Sequence, residues 1–520
     1  MRGSVGITSA SLTLGQQRRW GHPARPALWA LWLALCSILL TAAGPAAANR
    51  RDGYWGPNGA WPLIPIHMLL LPEGRVLTYG TNPDGTQTGR FWYDVWDPSS
   101  GVPGVGHLTL PNTTQTDLFC SAQLVLPGST DALLLGGDNW IASANATNNR
   151  GNNDSLIFRN RATPSLQAGQ DMNRARWYAT ATTLPNGEIY IQGGKDGTDR
   201  AEIRGANGTF RLLGFDSSAL TYWYPRNFVA PDGRVFGVSN QSMYYVDTSG
   251  VGALTMAGNM AGSSPSGVTT TDVMYDVGKI LRTGGGSQSS TGTRDGKATA
   301  VVIDINGATP VVTSTAAMPY KLHHHTGTVI ADGRVVVTGG SRQPNQLIGV
   351  NNEALIWTPS TGQWTVGAKT PTTNDHARLY HSNALLLPDA TILVGGGGAP
   401  GPVVNTNAQI YYPPYLYNKS GTFAVRPVIT AAPDRLTWGE TFDLQSNTPW
   451  KIKRVTLIKT GSVTHGFNME ARFMELPFTR SGSILKVQAP ANANIATPGR
   501  YLLFVLDGQG VPSIAKVVSL

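Results

Sequence analysis

The chain has 520 residues with 61 Gly and 34 Pro, and only 14% of it is charged; that profile suits a turn-rich all-β protein and argues against a helical bundle. Of the formal charge of +9, Arg2, Arg18, Arg19 and Arg25 supply four, and the remainder is spread without a Lys/Arg run. Nucleic acid is therefore not an expected partner.

In chain order, residues 1–48 come first. Arg18-Arg19 and Arg25 precede an apolar run over 27–43, and Ala46-Ala47-Ala48 offers small residues for cleavage. The segment is expected to be a signal peptide cut near Ala48, with an uncleaved membrane anchor as the alternative. The rest of the chain is expected outside the cytoplasm, secreted if the segment is cut and membrane-anchored if it is not. Cys36 falls in the leader, so Cys120 is the sole thiol of the mature chain. It has no partner for an internal disulfide, and unless buried it is open to oxidation.

From residue 49 onward one unit recurs: an apolar run, a turn usually built on Pro-Asp/Asn/Glu-Gly, a short apolar strand, then glycine. It appears as LLPEGRVLTYG, LVLPGSTDALLLGG, TTLPNGEIYIQGG, FVAPDGRVFGV, VMYDVGKILRTGGG, VIADGRVVVTGG and LLLPDATILVGGGG, ending between Gly80 and Gly398. An Asp-Gly or Asn-Gly between two apolar runs signals a hairpin because the turn needs positive φ. Copies spaced roughly 43 to 58 residues apart bracket the kelch period. A single four-stranded sheet cannot bury both faces, so seven copies predict a seven-bladed kelch-type β-propeller over 49–425, with the first residues helping to close the ring.

Residues 426–520 carry strand-like runs at 441–444, 453–458, 484–487 and 500–506, which suggest an immunoglobulin-like β-sandwich.

Few side chains here can carry redox chemistry. Cys120, Tyr178 and Tyr380-His381 precede their hairpins by similar offsets and are expected near one mouth of the central channel. Adjacent strand residues face opposite ways, so Tyr380 and His381 can share a metal only where the strand enters the sheet. His465 precedes Gly466 between strand-like runs and is expected on a loop of the sandwich domain. Alternation would put His323 and His325 of the triple His323-His324-His325 on one face, an acceptable pair of metal ligands. Taken singly, each of these residues also has an ordinary explanation: a buried thiol, a core aromatic, a hydrogen-bonded or solvated imidazole.

Their joint occurrence carries a resemblance. FCSAQ around Cys120, RWYAT around Tyr178, RLYHSNALLLPD around Tyr380-His381, NAQIYYPPYLYNKSG before the last domain and THGFNMEARFMEL around His465 stand in order at compatible spacings. In these the chain resembles the galactose oxidase and glyoxal oxidase family of copper-radical oxidases. The resemblance implies copper held by Tyr178, Tyr380, His381 and His465. It also implies a thioether between Cys120 and Tyr178 as a protein-derived radical cofactor, with Tyr380 as the base. It implies a small aldehyde or primary alcohol as substrate, O2 as acceptor, and a monomer. Two nitrogens with tyrosinate oxygens suit Cu(II), and a tyrosyl radical adds the second electron acceptor that one copper lacks. One departure stands out: Gly193-Gly194 is followed by Lys195-Asp196 where galactose oxidase suggests a Trp over the cross-linked ring. Trp223 and Trp177 are the substitutes to consider. RWYAT looks closer to the glyoxal oxidases, which favours small aldehydes; a galactose-oxidase-like sugar or alcohol oxidase is the alternative within enzymes. A non-catalytic kelch propeller that binds glycan or protein is the alternative outside them.

Overall fold

A computed structural model describes residues 49–87, 92–141, 143–144, 146–288, 294–371 and 376–520. The leader assigned to residues 1–48 lies outside the described residues. Among those described, no helix is long and apolar enough to cross a membrane.

Each repeat folds into the first two strands of an antiparallel sheet, and seven such sheets follow one another along the chain. Their first strands are His67–Leu70, Ala122–Val125, Trp177–Thr183, Arg226–Val229, Thr270–Asp276, Thr326–Val329 and Ser382–Leu386. These strands are almost wholly buried. The first strand of blade 7 lies against that of blade 1, so the ring is closed. The repeat's turn explains its sequence. In blade 1, Leu71 donates its N–H to Arg75 and accepts from Gly74, whose φ is +94°. The same pair of bonds recurs at Leu184, Ala230, Ile330 and Leu387. The glycine holds the left-handed position of a bulged hairpin turn; in blade 7 Ala390 takes it with φ +68°.

Blade 7 is completed by a strand that precedes blade 1. Tyr54–Trp55 pairs with Tyr412 and Tyr411 of its third strand, Asn407–Tyr412.

Residues 426–520 form two four-stranded sheets. Leu444, Val455, Leu457, Tyr501, Leu503 and Val505 fill the space between them as a core of their own. The four expected strand runs are the strands Thr441–Ser446, Ile452–Lys459, Ile484–Gln488 and Arg500–Asp507.

A hairpin of Ser462–Thr464 and Phe467–Asn468 leaves this sandwich and joins blade 1, with His67 opposite Thr464 and Met68 opposite Val463. His465-Gly466 is its two-residue turn, at φ +51° and +72°, the double positive φ of a type I′ hairpin. A side chain at Gly466 would meet the His325 carbonyl at 2.6 Å, so only glycine lets the tip seat there. At the hairpin's base, Lys459 on one leg and Glu470 on the other form a buried ion pair. Thr497 accepts from Lys459 at 2.7 Å, and Thr183 of blade 3 donates to Glu470 at 2.9 Å.

Candidate metal centre

The channel mouth is assembled by backbone that turns sideways at the start of five of the seven inner strands. Cys120, Tyr178, Tyr224, His324 and His381 all have φ between +38° and +76°, a region that costs a residue with a side chain about 1–3 kcal/mol. That conformation turns peptide groups toward the neighbouring blade. Tyr178 N–H donates to the Cys120 carbonyl at 3.0 Å, and Tyr224 N–H donates to the Tyr178 carbonyl at 2.8 Å. Two arginines brace it from behind. Arg176 donates to the Gly193 carbonyl and pairs with Glu202, fully buried; Arg378 donates to the carbonyls of Gly396 and Asn407. Each stands two residues before a site tyrosine, a reason for the Arg in RWYAT and RLYHSN that the sequence did not disclose.

The five residues singled out by the motifs meet here, and all are buried. Cys120 Sγ lies 3.4 Å from His465 Nε2 and 3.6 Å from His381 Nε2. The three donor atoms fall within 4.8 Å of one another. Tyr178 Oη and Tyr380 Oη are 2.9 Å apart. The Tyr380 ring stacks on His381 at 3.7 Å and stands 5.3 Å from His465. His465 is thus on a loop between two strands, as expected, and that loop is the tip of a hairpin paired to blade 1 at the channel mouth.

Both imidazoles present a lone pair at Nε2. His381 Nδ1–H donates to the Gly398 carbonyl at 2.7 Å. Thr464 spends its hydroxyl proton on the Ile66 carbonyl at 3.0 Å, so Oγ1 accepts from His465 Nδ1–H at 2.6 Å. Fixing one ring nitrogen as donor leaves the other free to ligate. Burial pushes the His381 pKa down to about 3 and that of His465 well below the usual range, which favours the neutral ring in both. Burial raises both phenols and the Cys120 thiol, and Cys120 raises the phenols further. A cation placed among these atoms would reverse that and ionise them. Neutral nitrogens and ionisable oxygens in one buried place fit copper(II). Thr464→Val, which leaves His465 Nδ1 without its acceptor, is expected to weaken Cu(II) binding about 10–100-fold with the fold intact; competition titration against a chelator measures it, and an unchanged affinity would refute the orientation argument.

Trp223, and not a residue after Gly194, covers the ring of Tyr178. The two rings stack at 4.3 Å and 12°. Trp177 is tilted beside Tyr178 at 4.5 Å and 39°. Alternation misplaces the triple histidine. His323 bonds Thr269 at 2.7 Å and the Arg294 carbonyl at 3.0 Å, and His325 bonds Thr283 at 2.9 Å. Neither reaches the centre, and the ring at the mouth is that of His324. His67 and His107 are also engaged, with Gln123 and Asp94.

An open cleft of ≈ 500 Å³ leads to Tyr178, Trp223 and Tyr380. Gln288, His324, Asn345 and Gln346 give it polar walls.

The galactose oxidase-like early set domain model matches residues 426–520. A galactose oxidase of Gibberella zeae is 28% identical over 525 aligned positions, covering 94% of this chain and 73% of that protein. An aldehyde oxidase of Vitis pseudoreticulata is 24% identical, over 67% of this chain and 73% of its own. A solved fungal alcohol oxidase in complex with copper superposes with a TM-score of 0.80 at 25% identity, covering 90% of this chain and 99% of that one. The motif resemblance therefore holds along the chain: it is similar to the galactose oxidases and aldehyde oxidases, and residues 426–520 match their early set domain.

Proposed function

We propose that the chain is a copper-radical oxidase that takes two electrons from a small aldehyde, as its hydrate, or from a primary alcohol, and reduces O2 to hydrogen peroxide. One observation carries the proposal: two lone-pair imidazole nitrogens gather at the buried thiol of Cys120, beside two phenols 2.9 Å apart. The relatives named as galactose oxidase and aldehyde oxidase, and the solved copper alcohol oxidase, support the same class. With the leader expected from residues 1–48, the site of action is outside the cell.

Tyr178, Tyr380, His381 and His465 would hold the copper. When bound, copper supplies a one-electron acceptor and acidifies a hydroxyl beside it. The rest belongs to the chain. A bond between Cys120 Sγ and the Tyr178 ring replaces the thiol hydrogen and one ring hydrogen, and O2 takes the two protons and two electrons as hydrogen peroxide. The sulfur then feeds electron density into the ring, which makes its one-electron oxidation easier. Trp223, flat against Tyr178, excludes water from the face that stores the oxidising equivalent. Tyr380 is the base: it opens on the cleft, a cation beside it would hold it as the phenolate, and the substrate's hydroxyl proton would pass to it.

The amide side chains of Gln288, Asn345 and Gln346 in the cleft favour a second reading, in which the substrate is a sugar or other polyol. A panel of aldehydes, alcohols and sugars scored by peroxide release separates the two.

Intact mass before and after Cu(II) and O2 tests the centre itself. The expected change is the loss of two hydrogens, absent in Cys120→Ser, together with loss of peroxide production in that variant. A Cys–His–His set is also the ligand set of copper electron-transfer sites. An unchanged mass with an intense thiolate-to-copper absorption would establish that chemistry in place of the oxidase. An unchanged mass with no copper bound would leave a non-catalytic propeller.

A further inference from the structure

Hydrogen bonds between neighbouring blades frame the channel mouth. The second glycine of a blade donates its N–H to a carbonyl of the next blade: Gly137 to Arg176 at 2.9 Å, Gly194 to Tyr222 at 2.7 Å, Gly285 to Leu322 at 2.9 Å, and Gly340 to Arg378 at 2.7 Å. Two residues beyond each acceptor stand Tyr178, Tyr224, His324 and Tyr380. The first and last are the phenols of the proposed centre. Tyr224 is fully buried and donates its hydroxyl to the Ser121 carbonyl at 3.1 Å. His324 occupies the remaining position.

His324 is held in place but left unengaged. Its φ of +54° is a left-handed conformation for a residue with a full side chain, and its N–H donates to the Thr269 carbonyl at 3.2 Å. His323 and His325 on either side are fixed by their own hydrogen bonds. The His324 ring is half-buried, makes no side-chain hydrogen bond among the described residues, stands 5.1 Å from the Tyr380 ring and lines the cleft. A neutral imidazole offers one donor and one acceptor, the complement of a hydroxyl group.

We propose that His324 is a substrate-contacting residue, which hydrogen-bonds a hydroxyl of the aldehyde hydrate or alcohol while a neighbouring hydroxyl proton is within reach of Tyr380. The proposal rests on the oxidase reading of Tyr178 and Tyr380. It adds a recognition element for a geminal diol or a vicinal hydroxyl on the side of the cleft formed by blade 6.

The test uses the copper-loaded, cross-linked full chain with His324→Asn, because Asn tolerates the left-handed backbone and is too short to reach the substrate. His324→Gln restores reach and hydrogen bonding. The first readout is kcat and KM with glyoxal as probe at saturating O2. The second, independent of turnover, is the Kd of hexafluoroacetone hydrate, a geminal diol with no C–H bond to oxidise, from titration of the copper absorption. One lost hydrogen bond of ordinary strength predicts about a tenfold rise in KM and in Kd. The expected fall in kcat is less than about threefold, with partial recovery in His324→Gln and an unchanged cross-link mass. KM and Kd within twofold of the unsubstituted protein, or a change confined to the KM for O2, overturns the proposal. Should His324→Asn fail to fold, His324→Gly, which suits the same φ, is read by the same criteria. A cross-link that forms and turns over normally while both constants stay put refutes His324 alone. A missing cross-link in the unsubstituted protein refutes the oxidase reading, and His324 falls with it.

Discussion

His465→Asn is expected to bind Cu(II) more than ~100-fold more weakly than the unsubstituted chain, since loss of a partner behind a ligand alone costs 10–100-fold. It is also expected to show no two-hydrogen loss under copper and O2, because a centre without one of its two imidazoles does not hold the metal that drives the bond. Asparagine is chosen for a reason specific to this position. His465-Gly466 is a two-residue turn with both φ values positive, and Asn-Gly is the most favoured sequence for that turn. The hairpin therefore stays formed, and the thermal midpoint of the metal-free protein should equal or exceed that of the parent. Chelator competition and calorimetry together separate metal loss from fold loss. Retention of parental copper affinity would remove His465 from the ligand set and with it the role of the hairpin of residues 462–468, the finger that reaches blade 1.

Lys459→Met should destabilise the protein by about 3–5 kcal/mol, because it leaves the Glu470 carboxylate buried without its cation. Both side chains are sealed at the junction of sandwich and propeller, where Thr183 and Thr497 are their other partners. The double variant Lys459→Met with Glu470→Leu should recover most of the loss, since apolar pairs of similar volume often replace buried ion pairs at little cost. Denaturant unfolding of the metal-free chain measures both. A single variant within about 1 kcal/mol of the parent would show that the pair is solvated in solution and is no brace for the finger.

Much of the molecule could be read from its residues because the repeat is local. The turn with its left-handed glycine, the apolar strand and the closing glycines each follow from backbone sterics within a dozen residues, so the blades and the sandwich strands were legible. Cys120, Tyr178, Tyr380 and His381 were legible as candidates because they sit at a constant offset from those turns. What was not legible is set between blades. Trp223 lies 45 residues after the ring it covers, and no pattern within either blade links the two. Strand alternation pointed at His323 and His325, but the left-handed φ of His324 breaks the alternation and aims the middle ring at the cleft. His465 was legible as a loop residue before Gly466, but not the pairing of its hairpin with His67–Leu70, nearly 400 positions away. Lys459 and Glu470 gave no signal in the sequence, because their ion pair is completed by Thr497 of the sandwich and Thr183 of the propeller.

The closing strand Tyr54–Trp55, which pairs with the far end of the propeller, carries a consequence for biogenesis. Blade 7 lacks its outer edge until residues past 400 have met the first residues of the ring. The donor set gains its last imidazole only when the finger arrives, some 60 residues before the C-terminus. Pairings of such long sequence separation form late and together. A chain whose residues 462–468 have not yet reached blade 1 therefore offers a metal no finished nest.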